Sequence, residues 1–288
     1  MTAAPPGQVM IGLDVGTTGA KAVAFGVGSG WRQVALREYP LLQPAPGQEV
    51  QDPAVVLTAV DEALTECVAS VGSARVRGIA VSSGMHALMA LDEEMHPLTA
   101  LITWADSRAH EEARALRESG QDSGLHALTG APVHPMTPLT KLIWFGNHDP
   151  QTMAAARWWV GLKDYILLWL TGGLVTELSS ASGTGLLDLT SRSWSPLALG
   201  LAGIAAEQLP PVVATTATLP LSAAIAARVG LPADTPVIAG AGDGPSGNLG
   251  TGAMEPGVAG LNLGTSGALR MAVDAPYVDA ERTLSVTR

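Results

Sequence analysis

The residues best suited to chemistry form one run, Gly12-Leu13-Asp14-Val15-Gly16-Thr17-Thr18-Gly19-Ala20-Lys21. A carboxylate ends a short apolar stretch, a glycine- and hydroxyl-rich turn follows, and a lysine comes next. Backbone N–H groups in such a turn make an anion nest, with the Thr17 and Thr18 hydroxyls as further donors and Lys21 as a point charge. Asp14 offers a hard oxygen ligand to Mg²⁺, which keeps much of its water shell. The natural ligand of this set is a polyphosphate, although a plain β-hairpin with glycine at positive φ would use the same residues. The run nearly recurs at 260–270, where Gly260, Leu261, Gly264, Thr265, Gly267 and Ala268 repeat Gly12, Leu13, Gly16, Thr17, Gly19 and Ala20. Two such hairpins predict two related lobes facing one ligand. No Gly-x-x-x-x-Gly-Lys-[Ser/Thr] occurs, which disfavours a P-loop.

Three further groups follow apolar stretches, where α/β folds place their sites. Asp243 stands in Ala-Gly-Asp-Gly, its carboxylate unobstructed by its neighbours. It suits a general base that takes a proton from an attacking hydroxyl, and equally a capping aspartate before a helix. Met85 and His86 follow the second apolar stretch, and Trp104, Asp106 and Arg108 follow the third. Trp104 could wall a sugar carbon chain, with Asp106 and Arg108 as acceptor and donors; the alternative for the charged pair is an ion pair at a helix start. His86 reads equally as a satisfied core histidine. Lys163 opens a helix, as a surface residue or as a partner for a substrate anion.

These residues need a scaffold of strands and helices in mixed order. Val9–Leu13, Ala20–Val27 and Trp31–Tyr39 read as a meander. Asp52 and Pro53 start a helix that runs to Ser70. Further strands are expected at Val76–Ser82, Ala87–Leu91, Leu101–Trp104, Arg157–Val160 and Val237–Gly240. Helices are expected at 108–118, 139–146, 163–170 and 245–253, with only short helices across 196–235. The fold class is α/β.

Composition narrows the class. Apolar residues make up 47% of the 288, enough for a core, and polar residues interrupt every apolar stretch short of a membrane span. A net charge of −10 argues against a nucleic-acid surface. The first eight residues lack the basic and apolar segments of a signal peptide. One cysteine, Cys67, excludes internal disulfides and fits a cytoplasmic setting. The histidines show no zinc spacing.

In order along the chain, Gly12–Lys21, Ser82–His86, Ile102–Arg108, Thr129–Lys141, Lys163–Tyr165, Ala181–Leu186, Gly240–Gly244 and Leu263–Arg270 resemble the FGGY carbohydrate kinases, most closely their gluconate kinases. The resemblance implies an actin-like, ribonuclease-H-like lobe of mixed sheet and flanking helices over 1–245. Residues 246–288 would begin a second, nucleotide-binding lobe, of which family members have roughly 200 residues more. It implies ATP and Mg²⁺ as cofactors, a sugar acid or polyol as substrate, and no nucleic acid or membrane; a homodimer is left open. It further implies that Asp14 holds Mg²⁺ and that Thr17, Thr18 and Lys21 handle the transferred phosphate. Gly264, Thr265 and Ser266 would hold the inner phosphates, and Asp243 would be the base. Met85, His86, Trp104, Asp106 and Arg108 would line the sugar pocket, with Arg108 or Lys163 meeting the sugar's carboxylate.

Overall fold

Alternation along Val9–Val15 sets the first strand, β1. Val9, Ile11, Leu13 and Val15 are fully buried on one face, while Gly12 and Asp14 lie on the other. Residues 7–263 and 267–287 are described in this computed structural model of the chain. β1 pairs antiparallel with β2 (Gly19–Gly26), and β2 with β3 (Arg32–Glu38). On its other side β1 pairs in parallel with Val76–Ser83, which pairs in parallel with Pro236–Gly242. Thr218–Pro220 closes that edge antiparallel, giving a mixed six-stranded sheet.

The Pro53–Val71 helix covers the buried face of β1 and β2. Its start follows from local chemistry: the Asp52 carboxylate accepts the Ala54 N–H at 2.8 Å, and Pro53 occupies N1. Val56, Val60, Leu64, Cys67 and Val71 recur at helical spacing and are all buried. They pack with Ile11, Leu13, Ala22 and Ala24 in one core. Each fully buried Val or Leu contributes about 1.5–3 kcal/mol, so this helix anchors the glycine hairpin from behind. A second core, with Leu142, Phe145 and Trp159 at its centre, underlies the loops that carry residues 84–108.

The expected elements form with shifts of a few residues at their ends, but three short helices were not foreseen: Asp122–Thr129, Pro150–Ala155 and Leu178–Ser182. The 196–235 stretch is not purely helical. It carries helices at Pro196–Ala202 and Ala223–Val229, and also supplies the edge strand Thr218–Pro220. The hairpin Ala259–Leu263/Gly267–Met271 forms its own two-stranded sheet beside the Asp243–Thr251 helix. Beyond it the chain returns to the Asp122–Thr129 helix: the Val286 N–H donates to the Gly130 carbonyl at 2.9 Å, and Arg282 pairs with Asp122 at 2.8 Å. Among the described residues, no helix is long and apolar enough to cross a membrane.

Candidate active site at the carboxyl ends of the parallel strands

Register brings the candidate residues to one end of the sheet. Asp14 lies beside Ser82, and Ser82 beside Ala241, so the ends of three parallel strands form a row. The Gly84-Met85-His86 turn leaves the middle strand, with the Gly84 N–H held by the Val15 carbonyl at 2.9 Å. Asp243 opens the helix after the third strand, with Gly242 as N-cap. Ligands of open α/β sheets bind at such carboxyl ends.

Two glycines in the third strand are required by packing. A Cβ on Gly240 (φ +70°) would lie 1.9 Å from the Val81 carbonyl oxygen. One on Gly242 would lie 2.6 Å from Met85 Cγ and Sδ, so Met85 packs directly on the segment that carries Asp243. Asp243 itself remains exposed. Protein packed around its carboxyl raises it above the usual range; Asp14 adds to this, while the Gly244 N–H (2.7 Å), Arg270 and Lys163 oppose it. Asp14 and Asp243 stand at the ends of the two strands that flank Val76–Ser83. Asp14, a hard carboxylate at a strand end next to the glycine turn, is a donor that fits Mg²⁺, which accepts one or two protein carboxylates and keeps its waters.

The glycine hairpin is fixed through its carbonyls. Tyr39 donates to the Gly16 carbonyl (2.7 Å), and the Gln51 amide donates to the carbonyls of Gly16 (3.1 Å) and Thr17 (2.7 Å). The Trp104 indole N–H donates to Thr17 Oγ1 at 2.9 Å, joining the Trp104 loop to the glycine hairpin, and 44% of Trp104 is exposed. Lys21 is opposite Asp14 in register and exposed, on the sheet face away from the helix. Thr18 is exposed at the tip.

His86 holds a left-handed backbone (φ 64°), and its Nδ1 lies 2.8 Å from the Gly183 carbonyl. Burial pushes its imidazole down to about 4, with Lys141 and Arg270 adding to the effect. Met85 and His86 line a small cavity of about 40 Å³ together with Lys163, Asp164 and Trp159. Asp106 and Arg108 realise the ion-pair alternative. Arg108 donates from Nε (2.9 Å) and Nη2 (2.8 Å) to the two Asp106 oxygens, and the Glu49 N–H also binds Asp106. Asp106 is buried, so its carboxylate shapes the loop instead of facing a sugar. Arg108 also stacks over Trp144, 5.0 Å from the ring centroid. Lys163 is likewise engaged: its ammonium is buried, donates to the Val81 carbonyl at 3.1 Å and pairs with Glu177 at 3.3 Å. Gly264, Thr265 and Ser266 lie outside the described residues.

Several residues at the site escaped the sequence reading. Lys141 is fully buried and donates to the carbonyls of His86 and Thr103, both at 2.7 Å, tying the His86 turn to the Trp104 loop. Burial pushes its ammonium down to about 7, against the pull of Asp106. Arg270 crosses from the second hairpin, with its Nε 2.6 Å from where a Gly244 Cβ would stand. Its signal was a cation at the position where the first copy of the repeat has Ala22. Gly242, Gly244 and Gly247 have Gly-x-Gly-x-x-Gly spacing, with Gly242 ending the third strand and the other two inside the Asp243–Thr251 helix. An aspartate inside that run and antiparallel strands in the sheet separate it from a dinucleotide site.

A mixed sheet with Asp14 and Asp243 at the carboxyl ends of its parallel strands, beside a glycine- and threonine-rich hairpin, defines an α/β lobe of the class that binds ligands at those ends. Residues 9–250 match the N-terminal domain of the FGGY family of carbohydrate kinases, and the chain belongs to that family. It is 36% identical over 271 residues to a gluconokinase of Bacillus subtilis (strain 168), covering 94% of this chain and 53% of that protein. A xylulose kinase of the same strain is 31% identical over 265 residues, covering 91% and 53%. The crystal structure of a gluconate kinase from Lactobacillus acidophilus superposes with a TM-score of 0.92 at 35% identity, over 96% of this chain and 56% of that one. The fold is thus the actin-like one of these kinases, and the chain spans about half the length of the curated relatives it matches.

Proposed function

We propose that this chain takes part in ATP-dependent phosphorylation of a sugar acid, with D-gluconate accepting at its terminal hydroxyl to give 6-phosphogluconate. The supporting observation is Asp243: an accessible carboxyl at a parallel strand end, raised by its surroundings, with Asp14 at the end of another strand of the same sheet. A base of raised pKa takes the hydroxyl proton as the oxygen attacks the γ-phosphorus, a contribution of roughly 10²–10⁴ in rate. Mg²⁺, when bound at Asp14, would neutralise charge on the phosphates. Thr17, Thr18 and Lys21 would hold the transferred group, and Gly264, Thr265 and Ser266 the inner phosphates. Trp104, Met85 and His86 would bound the sugar. Arg108 and Lys163 are already engaged by Asp106 and Glu177, so the preference for a sugar acid rests on similarity to gluconokinases and not on a free cation at either position.

In this proposal residues 1–245 form the sugar-binding lobe and 246–288 begin the nucleotide-binding one. A second reading, sugar binding without turnover, is favoured by exposure of the second hairpin, where Leu263 is 74% and Leu269 71% accessible. Calorimetry and a coupled assay with Mg-ATP separate the two. Under the kinase proposal, kcat/KM for gluconate exceeds that for xylulose by about tenfold or more, a transition-state difference of about 1.4 kcal/mol. A preference for xylulose would move the substrate to the neutral sugars. Gluconate binding without ATP turnover would leave the binding module.

A further inference from the structure

We infer that Lys163, Glu177 and Ser179 form a buried relay that positions Asp243, an inference that deepens the proposed role of Asp243 as base. The relay starts in the middle strand, where the Lys163 ammonium donates to the Val81 carbonyl at 3.1 Å. Lys163 pairs with Glu177, a fully buried carboxylate, at 3.3 Å. Glu177 is also the N-cap of the Leu178–Ser182 helix, accepting the N–H groups of Ser179 (2.7 Å) and Ser180 (2.9 Å). The Ser179 hydroxyl donates to Glu177 Oε1 at 2.9 Å and accepts the Gly242 N–H at 2.9 Å.

The direction of each bond is fixed by chemistry. An ionised glutamate only accepts, so the single Ser179 proton goes to Glu177 and a lone pair is left for Gly242. Lys163 supplies the counter-charge without which a buried carboxylate is costly. On its opposite side Gly242 is covered by Met85, so the residue before Asp243 is held from two sides. Two residues on, the Gly244 N–H is bound by the Asp243 carboxylate itself at 2.7 Å and reports its orientation. A lysine expected to meet a substrate carboxylate thus fixes the base relative to the sheet instead.

The test uses the full 288-residue chain carrying Ser179→Ala, Ser179→Thr or Glu177→Gln, with folding checked by thermal unfolding. NMR amide exchange is read at Gly242 and Gly244, and kcat and KM wherever turnover is present. The relay predicts that Ser179→Ala speeds exchange at both glycines about three- to tenfold, the scale of one lost hydrogen bond. It also predicts a kcat lowered by a similar factor, a sugar KM within about threefold, and recovery in Ser179→Thr. If Ser179→Ala does not fold, Glu177→Gln carries the same expectations. Unchanged exchange at Gly244, or a kcat equal to that of the unaltered chain, would overturn the relay. If the unaltered chain turns over no sugar, the kinase proposal fails on its own, and exchange at Gly244 still decides the relay.

Discussion

The two glycine hairpins carry nearly the same residues and stand in opposite surroundings. Leu13 in the first copy is fully buried against the Pro53–Val71 helix, whereas its repeat partner Leu261 is 60% exposed. The first hairpin is clamped by Tyr39, Gln51 and Trp104; the second is backed by the Asp243–Thr251 helix and reaches the site through Arg270. A motif of this kind encodes its turn locally, but not its stability. Stability comes from what covers the apolar face, and the second copy leaves Leu261, Leu263, Leu269 and Met271 open.

The largest expected effect turns that contrast into a measurement. Leu13→Ala should cost about 2–5 kcal/mol in urea unfolding, and Leu261→Ala within about 0.5 kcal/mol. Equal losses would mean that the second hairpin is covered in solution as the first is.

A smaller effect tests whether the two hairpins meet at one site. Burial, assisted by Arg270, holds the His86 imidazole down to about 4. Between its ordinary 6.5 and about 4, the unfolded chain binds a proton that the folded chain does not, so stability falls as pH falls through this window. The loss is at most about 3 kcal/mol. His86→Asn tolerates the left-handed backbone and should flatten that dependence in denaturation between about pH 7 and about pH 4.5. Arg270→Gln should raise the folded-state value and so narrow the window from its acid end, a smaller change than that of His86→Asn. A profile insensitive to His86→Asn would place the titration elsewhere.

Smallest of all is the link inside the first hairpin. Thr17→Val removes the acceptor of the Trp104 indole and should cost about 0.5–1 kcal/mol, with a changed Trp104 indole resonance. An unmoved resonance would detach the Trp104 loop from the glycine hairpin.

The strands and most helices were legible because their apolar residues repeat with a period of two or of about 3.6. The short helix Leu178–Ser182 was not, because five residues show no period and its start is set by a buried glutamate bonded to two serines. Thr218–Pro220 was missed for the same reason: a three-residue edge strand with partly exposed positions has no alternation to read. At the candidate site, motif spacing pointed to Asp14, Thr17, Met85, His86, Trp104 and Asp243, which the sheet register and the loops that follow bring to one end of the sheet. It could not show that Asp106 and Lys163 are consumed by Arg108 and Glu177, because those partners are set by packing. Lys141 looked like one residue of an amphipathic helix, and only its two carbonyl partners give it a role at the site.

The central claim is that Asp243 is the base of a sugar kinase, and Asp243→Asn addresses it most directly. Phosphogluconate formation from D-gluconate and Mg-ATP would be followed alongside gluconate binding by calorimetry. The expected result is turnover lowered by at least about 10² with gluconate affinity within a few-fold. An Asp243→Asn protein that phosphorylates gluconate at the rate of the unaltered chain would contradict the account.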